Sequence, residues 1–256
     1  MRATRAAQAR VPTLVMCRLL TLLVLATACG ERSAAPELPR PTSTTIRPMP
    51  ATIERNLASV IGDSLIASTT GEQIAAISAL GYRTTVQALP GAPLAGRFIQ
   101  ESIQIAKGSG VVVIATATND NYSNYLESLI SDEQEAQRLY RDQLRRATEQ
   151  LAGSCVVWVN TRTAIGAFYH PETTGATNRT LAQFVASEPR TRLVDWAAIS
   201  APHDQTDWFI ADELHFNLFH EDEFGLKVQD DSDRRQAGAD AYAAAIAEGV
   251  ARCPRP

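Results

Sequence analysis

Gly62-Asp63-Ser64-Leu65 closes a short apolar run, Leu57 to Ile61, and a helical pattern begins directly behind it. A hydroxyl at the sharp exit of a buried strand, next to a helix start, is well placed to attack an electrophile, so Ser64 is read as a nucleophile. The plain alternative is a helix N-cap, a common use of Asp-Ser at such a position. Three further blocks could complete a site: Leu89-Pro90-Gly91-Ala92, where a glycine lets the backbone approach a substrate, and two with polar side chains, Ala117-Thr118-Asn119-Asp120 and Asp212-Glu213-Leu214-His215. Asn119 and Asp120 also admit a reading as simple turn residues. His215, His220 and Glu221 could hint at a metal, but no further ligand with recognisable spacing accompanies them, and no metal or cofactor is expected. His170 and His203 read as surface or loop residues.

The elements that must position these blocks alternate between strand and helix. Leu57 to Ile61 predicts a first buried strand, Glu72 to Leu80 a helix closed by Gly81, and Tyr82 to Ala88 a second strand. Leu94 to Lys107 has helical spacing. Val111 to Ala115 is apolar without alternation, as a parallel sheet covered on both faces requires. Ser131 to Leu151 predicts a long helix with Asp132 and Glu133 in its first turn, which suits the helix dipole. Cys155 to Val159 gives a fourth strand, Asn178 to Ala186 a helix, Arg192 to Asp195 a fifth strand, and about Gln236 to Ala251 a closing helix. The alternation predicts a three-layer α/β/α sandwich around a parallel five-stranded sheet, with ligands bound outside the carboxyl ends of the strands. Each of the first three blocks follows one of those ends. Phe216 to Arg235 fits neither period and reads as a polar, acid-rich surface insertion. The aromatic set Trp196, Trp208, Phe209, Phe216 and Phe219 reads as core, with Trp208 or Phe209 as a candidate pocket wall; a sugar-stacking platform is the alternative.

The four blocks in this order resemble the SGNH (GDSL-type) hydrolases, over roughly Ile53 to Ala251. The resemblance implies a flavodoxin-like SGNH hydrolase fold and a triad in which Ser64 attacks, His215 moves the proton and Asp212 holds the imidazole. It also implies an oxyanion hole made by the backbone N–H of Ser64, the backbone N–H of Gly91 and the side-chain amide of Asn119. Two departures stand out. Ala117 occupies a position where the family commonly has glycine, which puts an extra methyl near the site, and the stretch after His215 is longer than in many relatives.

The N-terminus has a different character. Arg2, Arg5 and Arg10 precede an apolar run from Leu19 to Ala26 and then Thr27-Ala28-Cys29-Gly30, the layout of an export signal. Leu25 to Cys29 resembles a bacterial lipobox, with Cys29 as the lipidated residue; the alternative is an ordinary signal peptide cut before a chance cysteine. The apolar run is too short for a transmembrane anchor. Residues 1–28 are therefore expected to be a lipoprotein signal peptide, 29–52 a flexible Pro/Ser/Thr-rich tether, and 53–256 the hydrolase domain. Loss of residues 1–28 removes Arg2, Arg5, Arg10 and Arg18 and no acid, so the net charge moves from −4 to −8 and nucleic acid is an unsuitable partner. Cys155 and Cys253 are then left for an oxidising compartment, which points to one disulfide between them, two buried thiols being the alternative.

The expected protein is a monomeric esterase, lipid-anchored on the outer side of a bacterial cell membrane. Its substrate is a small ester or acylated carbohydrate. Val194-Asp195-Trp196 followed by the Asp-x-x-His block looks like SGNH domains that act on O-acetyl groups of envelope polysaccharides. An O-acyltransferase and a non-catalytic glycan-binding lipoprotein are the rival expectations.

Overall fold

Five strands form the sheet: β1 Glu54–Gly62, β2 Arg83–Ala88, β3 Ser109–Ala115, β4 Cys155–Val159 and β5 Thr191–Val194. The structure is a computed structural model that describes residues 52–121, 133–163, 171–204, 206–210, 212–216 and 232–254, all within the unit Met49–Pro256. The stretch expected to be a signal peptide, most of the expected tether and Cys29 lie outside the described residues. Every neighbouring pair is parallel and the order is β2-β1-β3-β4-β5. The chain steps outward from β1 to β2, then crosses to the other side for β3. That reversal makes the β1/β3 edge the switch point where such sheets bind ligands.

Eight helices among the described residues cover the two faces: α1 Ser64–Ser68, α2 Thr70–Ser78, α3 Arg97–Ile105, α4 Ala117–Asn121, α5 Glu133–Gln150, α6 Pro171–Ser187, α7 Trp196–Ser200 and α8 Ser232–Ala251. Alternate strand residues point to opposite sides, and both sides are apolar. Val60, Val113 and Val157 join Ile66 of α1, Ile77 of α2 and Ile246 of α8 in one core. Ile61, Val112 and Trp158 join Ile99 of α3, Leu144 of α5 and Leu181 of α6 in the other. The three-layer sandwich follows from this division.

Cys155 opens β4 and is bonded to Cys253, just beyond α8, with Cα atoms 5.9 Å apart. The disulfide anticipated from cysteine accounting is therefore present, and it ties the last helix to the sheet. A bridge across a sequence separation of 98 restricts the unfolded chain and is typically worth about 2–4 kcal/mol.

Several boundaries differ from the sequence reading. α6 starts at Pro171, well before Asn178, because proline is favoured in a first helical turn while Thr173, Thr174 and Gly175 dilute the helical signal. α8 begins at Ser232, so Ser232 to Arg235 belong to a helix and not to the insertion. Phe216 is not surface either: it is fully buried against Trp196 and Tyr242. What remains of the insertion, 217–231, lies outside the described residues, as do His170, Phe219, His220 and Glu221. Asp195 does not end β5. It caps α7, its carboxylate accepting the Ala198 N–H at 3.1 Å.

Candidate active site

Register sets the site. Gly62 at the end of β1 stands opposite both Ala88 of β2 and Ala115 of β3, so three adjacent strands finish level. The residues that follow, Asp63-Ser64, Leu89 to Gly91 and Thr116 to Asn119, therefore emerge side by side. β1 is the middle strand, which flanks the serine with the other two blocks. Gly62 is required by space: a Cβ there would lie 2.2 Å from Ile66 Cγ1 and 3.0 Å from the Ala115 carbonyl oxygen. The turn into α1 is that tight.

Asp63 organises the turn. It is 1% exposed, and its Oδ1 accepts the Leu65 N–H at 3.0 Å, capping α1. Its Oδ2 accepts the Asn119 side-chain amide at 2.9 Å. An amide nitrogen has two hydrogens, so Asn119 keeps a second donor. The backbone N–H groups of Ser64 and Gly91 donate to no group among the described residues. Gly91 has φ +76°, a left-handed conformation that turns the β2 exit loop and suits glycine. Burial raises the Asp63 carboxyl to about 6, against the pull of the Leu65 N–H, the nearby His215 and the Asn119 amide.

The candidate base arrives from the far end of the chain. Ser64 Oγ lies 2.8 Å from His215 Nε2, and His215 Nδ1 lies 2.5 Å from Asp212 Oδ2. Asp212 Oδ1 accepts the backbone N–H groups of Leu214 and His215, each at 3.0 Å. Between them Glu213 takes φ +56°, which tightens the turn enough for both side chains of Asp-x-x-His to meet. Partial burial pushes the Asp212 carboxyl up, but the bonds from the His215 ring and backbone and from Leu214 outweigh it and hold it below the ordinary carboxylate range. An ionised carboxylate only accepts, so Nδ1 carries the imidazole proton and Nε2 is left to accept from the serine hydroxyl.

The turn that holds this pair rests on aromatic packing. Phe209 and Phe216 stack at 5.5 Å, and Trp196 meets both edge-on. Of the aromatic set, Trp196, Phe209 and Phe216 are core, as expected, and Phe219 lies outside the described residues. Trp208 is only partly buried and stacks between Trp196 and His203. His203 sits in a turn, partly buried and paired with Asp207. Ala117 is 4% exposed and packs into the same core as Ala92 and Leu94. Sequence reasoning missed Arg162, a buried guanidinium just beyond β4. It donates to the Ser200 carbonyl oxygen and lies 4.4 Å from the Phe209 ring centre, so it braces the aromatic base of the Asp-His turn. A lone arginine after a strand gives no signal for that role.

No family model and no curated protein matches this chain. Solved structures do. The catalytic domain of Streptococcus pneumoniae peptidoglycan O-acetyltransferase A is 17% identical, covering 77% of this chain and 93% of that one at a TM-score of 0.53. A candidate SGNH hydrolase from Slackia heliotrinireducens is 16% identical over 78% of this chain and 99% of that one, at 0.50. A variant of Axe2, an acetyl xylan esterase from Geobacillus stearothermophilus, is 16% identical over 81% and 100%, at 0.52. A lipase/acylhydrolase from Enterococcus faecalis shares the architecture as well. The fold is that of the SGNH hydrolases.

Proposed function

We propose that this protein is a serine esterase that cleaves short-chain, chiefly O-acetyl, esters through an acyl-enzyme on Ser64. One observation carries the reading: Ser64 Oγ, His215 and Asp212 form an unbroken hydrogen-bonded chain at the switch point of the sheet. His215 Nε2 takes the serine proton as Oγ attacks the ester carbonyl, and the oxyanion forms where the Ser64 and Gly91 N–H groups and the Asn119 amide are free to donate. His215 returns the proton to the leaving alcohol. Water, activated by the same nitrogen, then releases the acid. Asp212 stays ionised and stabilises the imidazolium.

The acetyl preference is supported by fold neighbours described as an acetyl xylan esterase and a peptidoglycan O-acetyltransferase domain. Attack by a sugar hydroxyl in place of water is the same second half-reaction, so the test includes an acceptor. Export and lipid anchoring through Cys29 complete the proposal. The basic and apolar N-terminus and a disulfide suited to an oxidising compartment support it.

Purified protein should hydrolyse p-nitrophenyl acetate and be labelled at Ser64 by a fluorophosphonate, and Ser64→Ala should abolish both. Neither turnover nor labelling would overturn the esterase and favour a non-catalytic glycan-binding role. Acetylated sugar formed on adding an acceptor glycan would make the enzyme a transferase. Cys29→Ser should release the protein from membranes; retention there would refute the anchor.

A further inference from the structure

Asp120 stands next to Asn119 in α4, is 8% exposed and plays no part in the chemistry just described. Its Oδ1 accepts the backbone N–H of Leu94 at 2.6 Å, and its Oδ2 accepts the Thr116 hydroxyl at 2.9 Å. The Tyr140 hydroxyl of α5 faces it. One carboxylate therefore joins the loop leaving β2 to the exit of β3, against a helix of the outer layer.

Leu94 is held from its other side too, its carbonyl oxygen accepting Gln100 Nε2 at 2.7 Å. Its side chain is fully buried. Between Gly91 and Leu94 the chain is short and contains Pro93, and Pro90 precedes Gly91, so few torsions are left to absorb a shift. Fixing the Leu94 N–H thus fixes where the Gly91 N–H points. On the opposite side Asp63 holds the Asn119 amide. Burial pushes the Asp120 carboxyl up to about 7 against the pull of the Leu94 N–H and the Thr116 hydroxyl, and the charge on Asp63 pushes it further. An isolated turn residue has no need of such an environment.

We propose that Asp120 is a positioning residue that locks the Gly91 loop onto the helix bearing Asn119, so that two oxyanion donors on different strands keep one geometry. The proposal rests on the esterase reading above. It makes Asp120 act through Gly91 and Asn119 and not on the substrate. Asparagine at 120 would keep the shape but replace one acceptor by an N–H2 group, which cannot receive both Leu94 and Thr116. The loop would then relax away from the place where charge develops.

Asp120→Asn should lower kcat on the order of 100-fold, the scale of one lost oxyanion donor, with KM within a small factor of wild type. A boronic acid, which forms a tetrahedral adduct on serine, should bind more weakly by the same factor as the loss in kcat/KM. Inhibition by the product alcohol should be unchanged. A merely structural role would not separate these quantities. Wild-type kcat in a folded Asp120→Asn, or equal losses for the boronate and the alcohol, would overturn the proposal while leaving the esterase standing. Wild-type protein that neither turns over ester nor is labelled at Ser64 would overturn both. If Asp120→Asn does not fold, Tyr140→Phe removes the hydroxyl that faces the same carboxylate and should lower kcat severalfold at constant KM. A Tyr140→Phe protein with wild-type kcat would then refute the proposal.

Discussion

Ser64, Gly91 and Asn119 stand on the exits of three adjacent strands, whereas Asp212 and His215 stand on a turn that belongs to no strand. The first group is placed by sheet register and tightened by Asp63. The second is placed by aromatic side chains, by Arg162 and by the last helix. The two aspartates nearest the chemistry show the same contrast. Asp63 is sealed in and its carboxyl is raised to about 6, while Asp212 is partly exposed and held below its ordinary range by its partners. Identical side chains thus serve opposite ends: one braces hydrogen-bond donors, the other keeps a negative charge beside an imidazole.

The largest expected effects lie on the turn, because it carries the proposed proton carrier His215 and the carboxylate that orients it. His215→Ala should cost on the order of 10⁶-fold in kcat and Asp212→Asn about 10⁴-fold, read from ester turnover at saturating substrate. A loss in His215→Ala of under a hundredfold would mean that another base serves Ser64. Support for the turn is tested next. Phe216→Ala should destabilise by about 3–5 kcal/mol in denaturant unfolding, since its ring meets Trp196, Phe209 and Tyr242. If Phe216→Ala were nearly neutral, the aromatic cluster would not be what holds the base side. On the strand side, Asn119→Ala should lower kcat by about 10²–10³ with little change in KM. A rise in KM alone would remove Asn119 from the oxyanion hole and make it a substrate contact.

The two sides were also unequally legible in the sequence. The strand side was open to reading because its residues follow apolar runs whose ends can be seen, and because Gly62 and Gly91 sit where backbone space and a left-handed φ demand glycine. β4 was foreseen to the residue for the same reason, being buried along its whole length. The base side gave only Asp-x-x-His. The sequence set Phe216 both in the aromatic core and at the start of the surface insertion, and nothing local decided between them, or revealed that Arg162 would lie over Phe209 or that Asp195 caps a short helix. Those depend on tertiary packing between segments far apart in the chain. α4 and α7 are too short to show a helical period, and the weak formers at the start of α6 hid its first turns. Asp120 was visible as a residue but not as a link, since Leu94 reaches it only once β2 and β3 flank β1.

A pH dependence of stability is expected as well, and it separates the two sides by sign. In the unfolded chain an aspartate gives up its proton near pH 4. Folded, Asp63 keeps it to about 6, facing Asn119, His215, Tyr242 and Asp120, and Asp120 keeps it to about 7, facing Tyr140 and Asp63. From pH 4 to about 7 the folded protein therefore holds protons that the unfolded chain has released, and stability falls as pH rises through that window. Asp212 acts in reverse. Its folded value lies below the unfolded one, so its contribution is present above pH 4 and is lost as pH falls further. Together they predict a thermal midpoint that peaks near pH 4–5 and declines toward pH 8, each kcal/mol of lost stability shifting it by roughly 2–4 °C in a domain of this size. Asp120→Asn removes one of the two buried acids and should flatten the upper part of that decline, whatever it does to activity. Calorimetric scans of both proteins from pH 4 to pH 8 read the difference directly. An identical slope in the variant would mean that the Asp120 carboxylate ionises at no cost to the fold, and the contrast between a sealed strand side and a partly open turn would then rest on Asp63 alone.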